Sequence, residues 1–329
     1  MSESPNLVAP PKRRGRLIGI LVAVVAVIAL AVVAIVATVG ANSSPADEAG
    51  SGGGDGAASG AIAEGKGSEA DPVKIGVVGA SDPYWAEYEK AAADEGIAIE
   101  LVDFTDYAQP NPALTEGDLD LNQFQHIIYL AQYNTSAGED LTPIGSTATY
   151  PLSLYSTEYG SVEDIPDGET VAVPNDASNL ARSLLVLQSV GLVELQDGGS
   201  PFSTLDDVLP SSRVEVTSLE AALTPTSLPD VAAAIINNDF VDDAGLSFDE
   251  AIASDDPADP SAQPYINIFA ARAEDKDDEL YQRLVEIFQN TKAVTDGLLE
   301  VSGDTAVLVQ TPVEELEESL ADVESQIGQ

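Results

Sequence analysis

Few side chains in this 329-residue sequence could carry out chemistry. It has one histidine, His126, and no cysteine. That excludes disulfides, thiol nucleophiles, iron–sulfur clusters and cysteine-ligated zinc. A lone histidine builds neither a triad nor a zinc site, and neither Ser178 nor Ser183 has a histidine in a nucleophile-elbow context. What remains suits holding a small molecule rather than converting it. Arg182 lies in the first turns of an amphipathic stretch at 178–190 (SNLARSLLVLQSV). Its guanidinium can donate two parallel hydrogen bonds to a carboxylate, and the helix start adds free N–H groups. The same spacing also fits an exposed arginine on the polar side of a helix. Phe124, His126 and Tyr129 fall within six residues, downstream of Tyr107, in a chain with only 5% aromatics. Such a group lines a pocket for a polarizable side chain or packs as core. Asn237 and Asn267 end or interrupt apolar runs, at AIIN and PYIN, where an amide caps a turn or points into a cleft. Asn238 is an adjacent alternative to Asn237.

Other signals carry less. Gly76 and Gly79 in IGVVGAS hint at a nucleotide loop, but no GKS/GKT or GxGxxG follows. Asp239, Asp242 and Asp243 lack EF-hand spacing and read as a solvated acidic loop.

The elements that must position these residues alternate between strands and helices from residue 71 onward. The run 73–78 (VKIGVV) reads as a strand, and Ser81-Asp82-Pro83 as a helix start for a helix ending at Gly96. Strands are expected at 97–102, 119–124, 152–155, 170–173, 214–216, 231–236 and 265–270. Helices are expected near 111–112 and at 127–133, 178–190, 278–289 and 291–299. The stretch 312–328 reads as a charged helix whose apolar side is thin, so that it packs loosely. Repeated β–α alternation over about 250 residues predicts an α/β protein with parallel or mixed sheets in two lobes.

The N-terminus gives the compartment. Residues 17–39 (LIGILVAVVAVIALAVVAIVATV) carry no charge and no proline. At about 1.5 Å per residue they can span a bilayer of roughly 30 Å. Lys12, Arg13, Arg14 and Arg16 precede the run, so the 1–16 tail is expected in the cytoplasm and the rest outside it. The run exceeds the about 7–15 residues of a signal-peptide core, although Val39-Gly40-Ala41 could be cleaved. An uncleaved membrane anchor is the expectation. Residues 40–71, with SGGGDGAASGA in their middle, read as a flexible linker. The net charge of −43 argues against nucleic acid as a partner and is explained by solubility or salt adaptation.

Five segments carry a family resemblance. They are 102–111 (VDFTDYAQPN), 119–130 (LDLNQFQHIIYL), 171–182 (VAVPNDASNLAR), 234–240 (AIINNDF) with 244–246 (AGL), and 263–274 (QPYINIFAARAE) leading into DKDD. Together, over about residues 74–309, they resemble the methionine-binding lipoproteins of the NlpA (MetQ) family. The chain departs from that pattern in three places. It lacks the lipid-bearing cysteine, and 17–39 stands in its place; 79–85 reads GASDPYW; and Ile128 replaces a proline.

The resemblance implies a two-lobed type II periplasmic-binding-protein fold, with lobe 1 at 72–152 plus 268–329 and lobe 2 at 153–267. It implies a monomer without cofactor or enzymatic activity that delivers methionine to an ABC permease and its ATPase. It assigns Tyr107, Phe124, His126 and Tyr129 to the methionine side chain, Arg182 to the carboxylate, and Asn237 and Asn267 to the head group. Tyr155 and Tyr265, near the lobe crossovers, read as hinge packing. The competing readings are an anchored amino-acid sensor, an enzyme acting on an extracellular small molecule, and a site for another small amino acid or a methionine-containing dipeptide.

Overall fold

The computed structural model describes Ile62 and residues 64–327. The expected span at 17–39 and most of the 40–71 linker lie outside the described residues. No helix among the described residues is long and apolar enough to cross a membrane.

A near-continuous apolar run is the signature of a strand buried on both faces, and β1 (Val73–Val78) is buried at every position but Lys74. Gly76 leaves room for Leu119 there: a Cβ would lie 2.4 Å from Leu119 Cδ1, so that side chain would have to move. The strands that follow are β2 (Ile99–Phe104), β3 (Leu121–His126), β4 (Thr142–Ser146), β5 (Ala148–Thr149), β6 (Ser153–Tyr155), β7 (Thr170–Pro174), β8 (Glu215–Leu219), β9 (Ala233–Ile236), β10 (Ala253–Ser254), β11 (Asn267–Ala271) and β12 (Val307–Leu308). The helices are α1 (Pro83–Asp94), α2 (Pro110–Thr115), α3 (Ile127–Ala137), α4 (Ala177–Ser189), α5 (Thr224–Ser227), α6 (Glu279–Asn290), α7 (Lys292–Val301) and α8 (Val313–Ile327).

Two five-stranded sheets result, in the orders β2-β1-β3-β11-β4 and β10-β6-β9-β7-β8. Each is mixed. β1 runs parallel to β2 and β3, while β11 returns antiparallel between β3 and β4. In the second sheet β7 is parallel to β8 and β9, and β6 is antiparallel to β9. The chain passes from the first sheet to the second between β5 and β6 and comes back between β10 and β11. This is the α/β organisation with mixed sheets that the β–α alternation predicts.

Two expectations need correction. First, the end of the 40–71 linker is ordered. Lys66 pairs with Asp71 at 2.8 Å and with Asp120 at 3.1 Å, Ile62 N–H donates to Gly96 O, and Ile62 packs on the first core. Secondly, α8 does not pack loosely. Leu316, Leu320 and Val323 are buried in one cluster with Ile127, Leu130 and Ala131 of α3. Three apolar residues at helical spacing are joined there by one polar tie, Asn134 Nδ2 of α3 donating to Glu324 Oε1 of α8 at 2.9 Å. β4 also went unexpected, since its sequence TPIGS has the proline and glycine of a turn rather than a strand.

Candidate functional site

The site lies where both crossings meet the ends of β3 and β9. His126 ends β3 and caps α3: its Nδ1 accepts from Tyr129 N–H at 3.2 Å. Across the strand pair, Asn267 at the start of β11 sits opposite His126. From the second sheet, Asp176 caps α4 by accepting from Asn179 N–H at 2.9 Å, and one turn later the helix presents Arg182. Asn237 and Asn238 follow the end of β9.

These elements line a small, partly open cavity. Tyr107, Phe124, His126, Tyr129, Arg182, Asn237 and Asn267 all line it. All seven residues singled out in the sequence thus share one cavity, although they span 161 positions of the chain from first to last. A wider groove next to it, walled by Tyr133, Leu180, Phe202 and Ile327, contains none of the buried polar atoms left without a partner. We therefore place the candidate site in the smaller cavity.

One wall is aromatic. The Tyr107 ring lies 5.9 Å from Phe124, 6.2 Å from Tyr129 and 5.1 Å from Phe240 in the turn after β9, and Phe124 meets Tyr129 edge-on at 5.7 Å. Such offset and edge contacts hold rings rigidly. Tyr129 OH adds a bond to Tyr107 O at 2.8 Å.

His126 is neutral. Burial, then the nearby Arg182 charge, push its pKa down to about 3. With Nδ1 accepting from the backbone, the proton belongs on Nε2, which faces Asn179 Oδ1 at 3.3 Å. Asn179 in turn donates Nδ2 to both Asp176 oxygens, at 3.0 and 3.1 Å. This chain runs from the second sheet's helix to the first sheet's histidine. A second link crosses the same way: Tyr107 OH donates to Asp239 Oδ2 at 2.8 Å.

Arg182 is 5% exposed, so the surface reading is excluded. It is not free, however. Nε donates to Asp255 Oδ2 at 2.6 Å, Nη2 to Asp255 Oδ1 at 3.1 Å and to Tyr150 O at 2.8 Å. Its Cζ lies 4.3 Å from the centre of the Tyr265 ring. Asp255 Oδ1 also accepts from Leu152 N–H at 2.8 Å. The guanidinium therefore joins both crossings to α4. Tyr265, stacked on it and edge-on to His126 at 5.4 Å, packs as expected of a crossover residue. Tyr155 is buried in β6.

The Asn237–Asn238 side of the cavity also holds buried acceptors without partners. Asn237 Oδ1 and Asn238 Oδ1 receive no hydrogen bond among the described residues. Buried polar atoms are rarely left so, and a ligand donor would satisfy them. Sequence reasoning missed Asn179, Tyr150 and Asp255. Asp239, read as part of a solvated acidic loop, is exposed and also contributes to the cavity wall. Asn179 stands inside the NDASNLAR segment, three residues before Arg182, where one turn of helix puts both on the same side.

Two mixed sheets joined by two crossings beside a cavity are the architecture of a periplasmic-type solute-binding protein. The chain belongs to the NlpA lipoprotein family, whose model matches residues 73–308. It is 39% identical over 230 residues to the D-methionine-binding lipoprotein MetQ of Escherichia coli K12, covering 68% of this chain and 83% of that one. Among solved structures it is similar to the substrate-binding protein of a methionine transporter from Streptococcus pneumoniae, at 32% identity and a TM-score of 0.67, over 72% of this chain and 95% of that one. It is also similar to a nutrient-binding protein from Burkholderia cenocepacia bound to methionine, at 34% identity and a TM-score of 0.66, over 72% and 99%. Unlike a lipoprotein, this sequence has no cysteine to acylate.

Proposed function

We propose that the protein is the extracytoplasmic solute-binding component of an ABC importer and that its ligand is methionine. The observation that carries this is the division of the cavity into two ends. An aromatic wall of Tyr107, Phe124 and Tyr129 suits a thioether, which gains about 0.3–1.5 kcal/mol from each good ring contact. At the other end Arg182 meets the carboxylate, while Asn237 and Asn267 meet the amino-acid head group. Neutral His126 stands between them, as a donor already engaged. The methionine-binding relatives support the same assignment, and their transporter setting supports a permease and ATPase as partners.

In this reading the lobes are 72–152 with 268–329, and 153–267, and the protein works as a monomer. The return of β11 between β3 and β4 supports the type II variant of the fold. The chain is held at the membrane by residues 17–39, with the folded part outside. A methionine-containing dipeptide is the second reading: Asp255 already occupies two guanidinium bonds, and a dipeptide carries its carboxylate one residue further from the methionine side chain.

Thermal denaturation tests the first reading. A ligand that binds only the folded state stabilises it by about 2.7 kcal/mol at one hundred times its dissociation constant. Methionine should raise the melting temperature of ligand-stripped protein, and glutamate and lysine should not. If methionyl-glycine raises it far more than methionine does, the dipeptide reading holds instead.

A further inference from the structure

The charges around the cavity do not balance. Arg182, the one cation on its wall, is neutralised by Asp255. Asp239 is the one carboxylate on that wall, and no cation pairs with it among the described residues. Its Oδ2 accepts from Tyr107 OH, and its Oδ1 is reached only by Asn238 Nδ2 at 3.5 Å. The acceptors without partners, Asn237 Oδ1 and Asn238 Oδ1, immediately precede it, and Asn237 is 8% exposed. Opposite this end Asp82 feels the same excess of negative charge. Its carboxyl is pushed up to about 7, first by burial and then by Asp239, Asp242 and Asp103.

An ammonium group has three donors, no acceptor and a full positive charge. Two carboxamide oxygens can receive its hydrogen bonds but cannot neutralise it, and a buried unpaired charge is strongly unfavourable. We propose that Asp239 is the counter-charge for the ligand's α-ammonium group, so that the site requires a free α-amine. The proposal rests on the reading of the ligand as an amino acid or as a peptide with a free N-terminus. It makes Asp239 more than a tie to Tyr107. The hydroxyl bond holds the carboxylate in place, and the charge selects the ligand.

The test is calorimetric titration of purified full-length protein, stripped of carried-over ligand by denaturation and refolding. The titrants are methionine, leucine and glutamine, each beside its N-acetyl form. Asp239 is itself exposed, so wild type should bind N-acetylmethionine at least roughly tenfold more weakly than methionine, since that form gives up the charge facing Asp239. Asp239→Asn keeps an oxygen for Tyr107 OH and removes only the charge. It should weaken methionine roughly tenfold to a hundredfold and narrow the gap to the N-acetyl form. Tyr107→Phe removes the tie and keeps the charge, so it should weaken both forms together.

Two results would overturn the proposal. In one, Asp239→Asn binds methionine within about twofold of wild type; in the other, it weakens methionine and N-acetylmethionine equally. If wild type binds leucine or glutamine but not methionine, the methionine reading fails and the same comparison decides Asp239 on that ligand. If it binds no α-amino acid, both fail.

Discussion

Arg182 and Asp255 form a two-bond ion pair, Nε to Oδ2 at 2.6 Å and Nη2 to Oδ1 at 3.1 Å, between a helix of the second sheet and the returning crossover. The arginine side chain is 6% exposed and the aspartate 28%. The residue proposed to meet the ligand carboxylate is therefore a strut in the ligand-free protein, and the strut and the proposed role can be separated by experiment.

Arg182→Ala should weaken ligand binding by two or more orders of magnitude, as about 2–5 kcal/mol is lost when one partner of a buried charge pair is removed. It should also destabilise the ligand-free protein, by about 1–3 kcal/mol, because Tyr150 O and the Asp255 carboxylate lose their donors. Asp255→Ala added to Arg182→Ala should recover part of the stability and none of the affinity. Chemical denaturation and calorimetry of the two variants check this. Recovery of affinity in the double variant would remove Arg182 from the binding site.

The His126 pKa gives a pH dependence with a definite sign. The unfolded histidine takes a proton near 6.5 and the folded one only near 3. Between those values the unfolded state binds more protons, so stability is present above 6.5 and is lost as pH falls towards 3. The slope from this group reaches about 1.4 kcal/mol per pH unit. His126→Gln lacks the titration. The stability difference between wild type and the variant should therefore shrink as pH falls from 7 to 4.5 in urea unfolding. A constant difference would contradict the neutral, buried assignment.

Asp82 should act in the opposite direction. Its folded pKa is raised from 3.8 to about 7, so the folded state retains a proton that the unfolded state has lost. The associated stability is complete below 3.8 and disappears as pH rises through 7. Asp82 makes no capping hydrogen bond to α1, so Asp82→Asn removes the charge without removing a cap. The variant should melt higher than wild type at pH 8 and close to it at pH 4. Equal melting temperatures at pH 8 would show that the carboxylate is not crowded.

The sequence made the aromatic and polar positions of the site legible because each motif is short and stands at a strand end, where period-two alternation breaks into a helix or turn. The bonds that join them are another matter. His126 and Asn179 lie 53 residues apart, and Tyr107 and Asp239 lie 132 apart; no local period encodes such pairs. Asp255, in the acidic stretch SDDPADP, looks the same as its solvated neighbours until the crossover brings it to Arg182. α8 shows the limit of reading amphipathicity from one helix alone, since its narrow stripe is buried by the apolar residues of α3 while Glu324 is held by Asn134 of that helix.

The central claim, that this cavity holds methionine through its aromatic wall and its paired polar end, is tested most directly by native mass spectrometry of the protein as purified. The intact mass should show one bound molecule, and collisional release should yield methionine. Tyr129→Ala, which opens the aromatic wall, should be purified largely empty. Release of a sugar, a nucleotide or an anionic amino acid, or a bound methionine that survives both Tyr129→Ala and Arg182→Ala, would contradict the account.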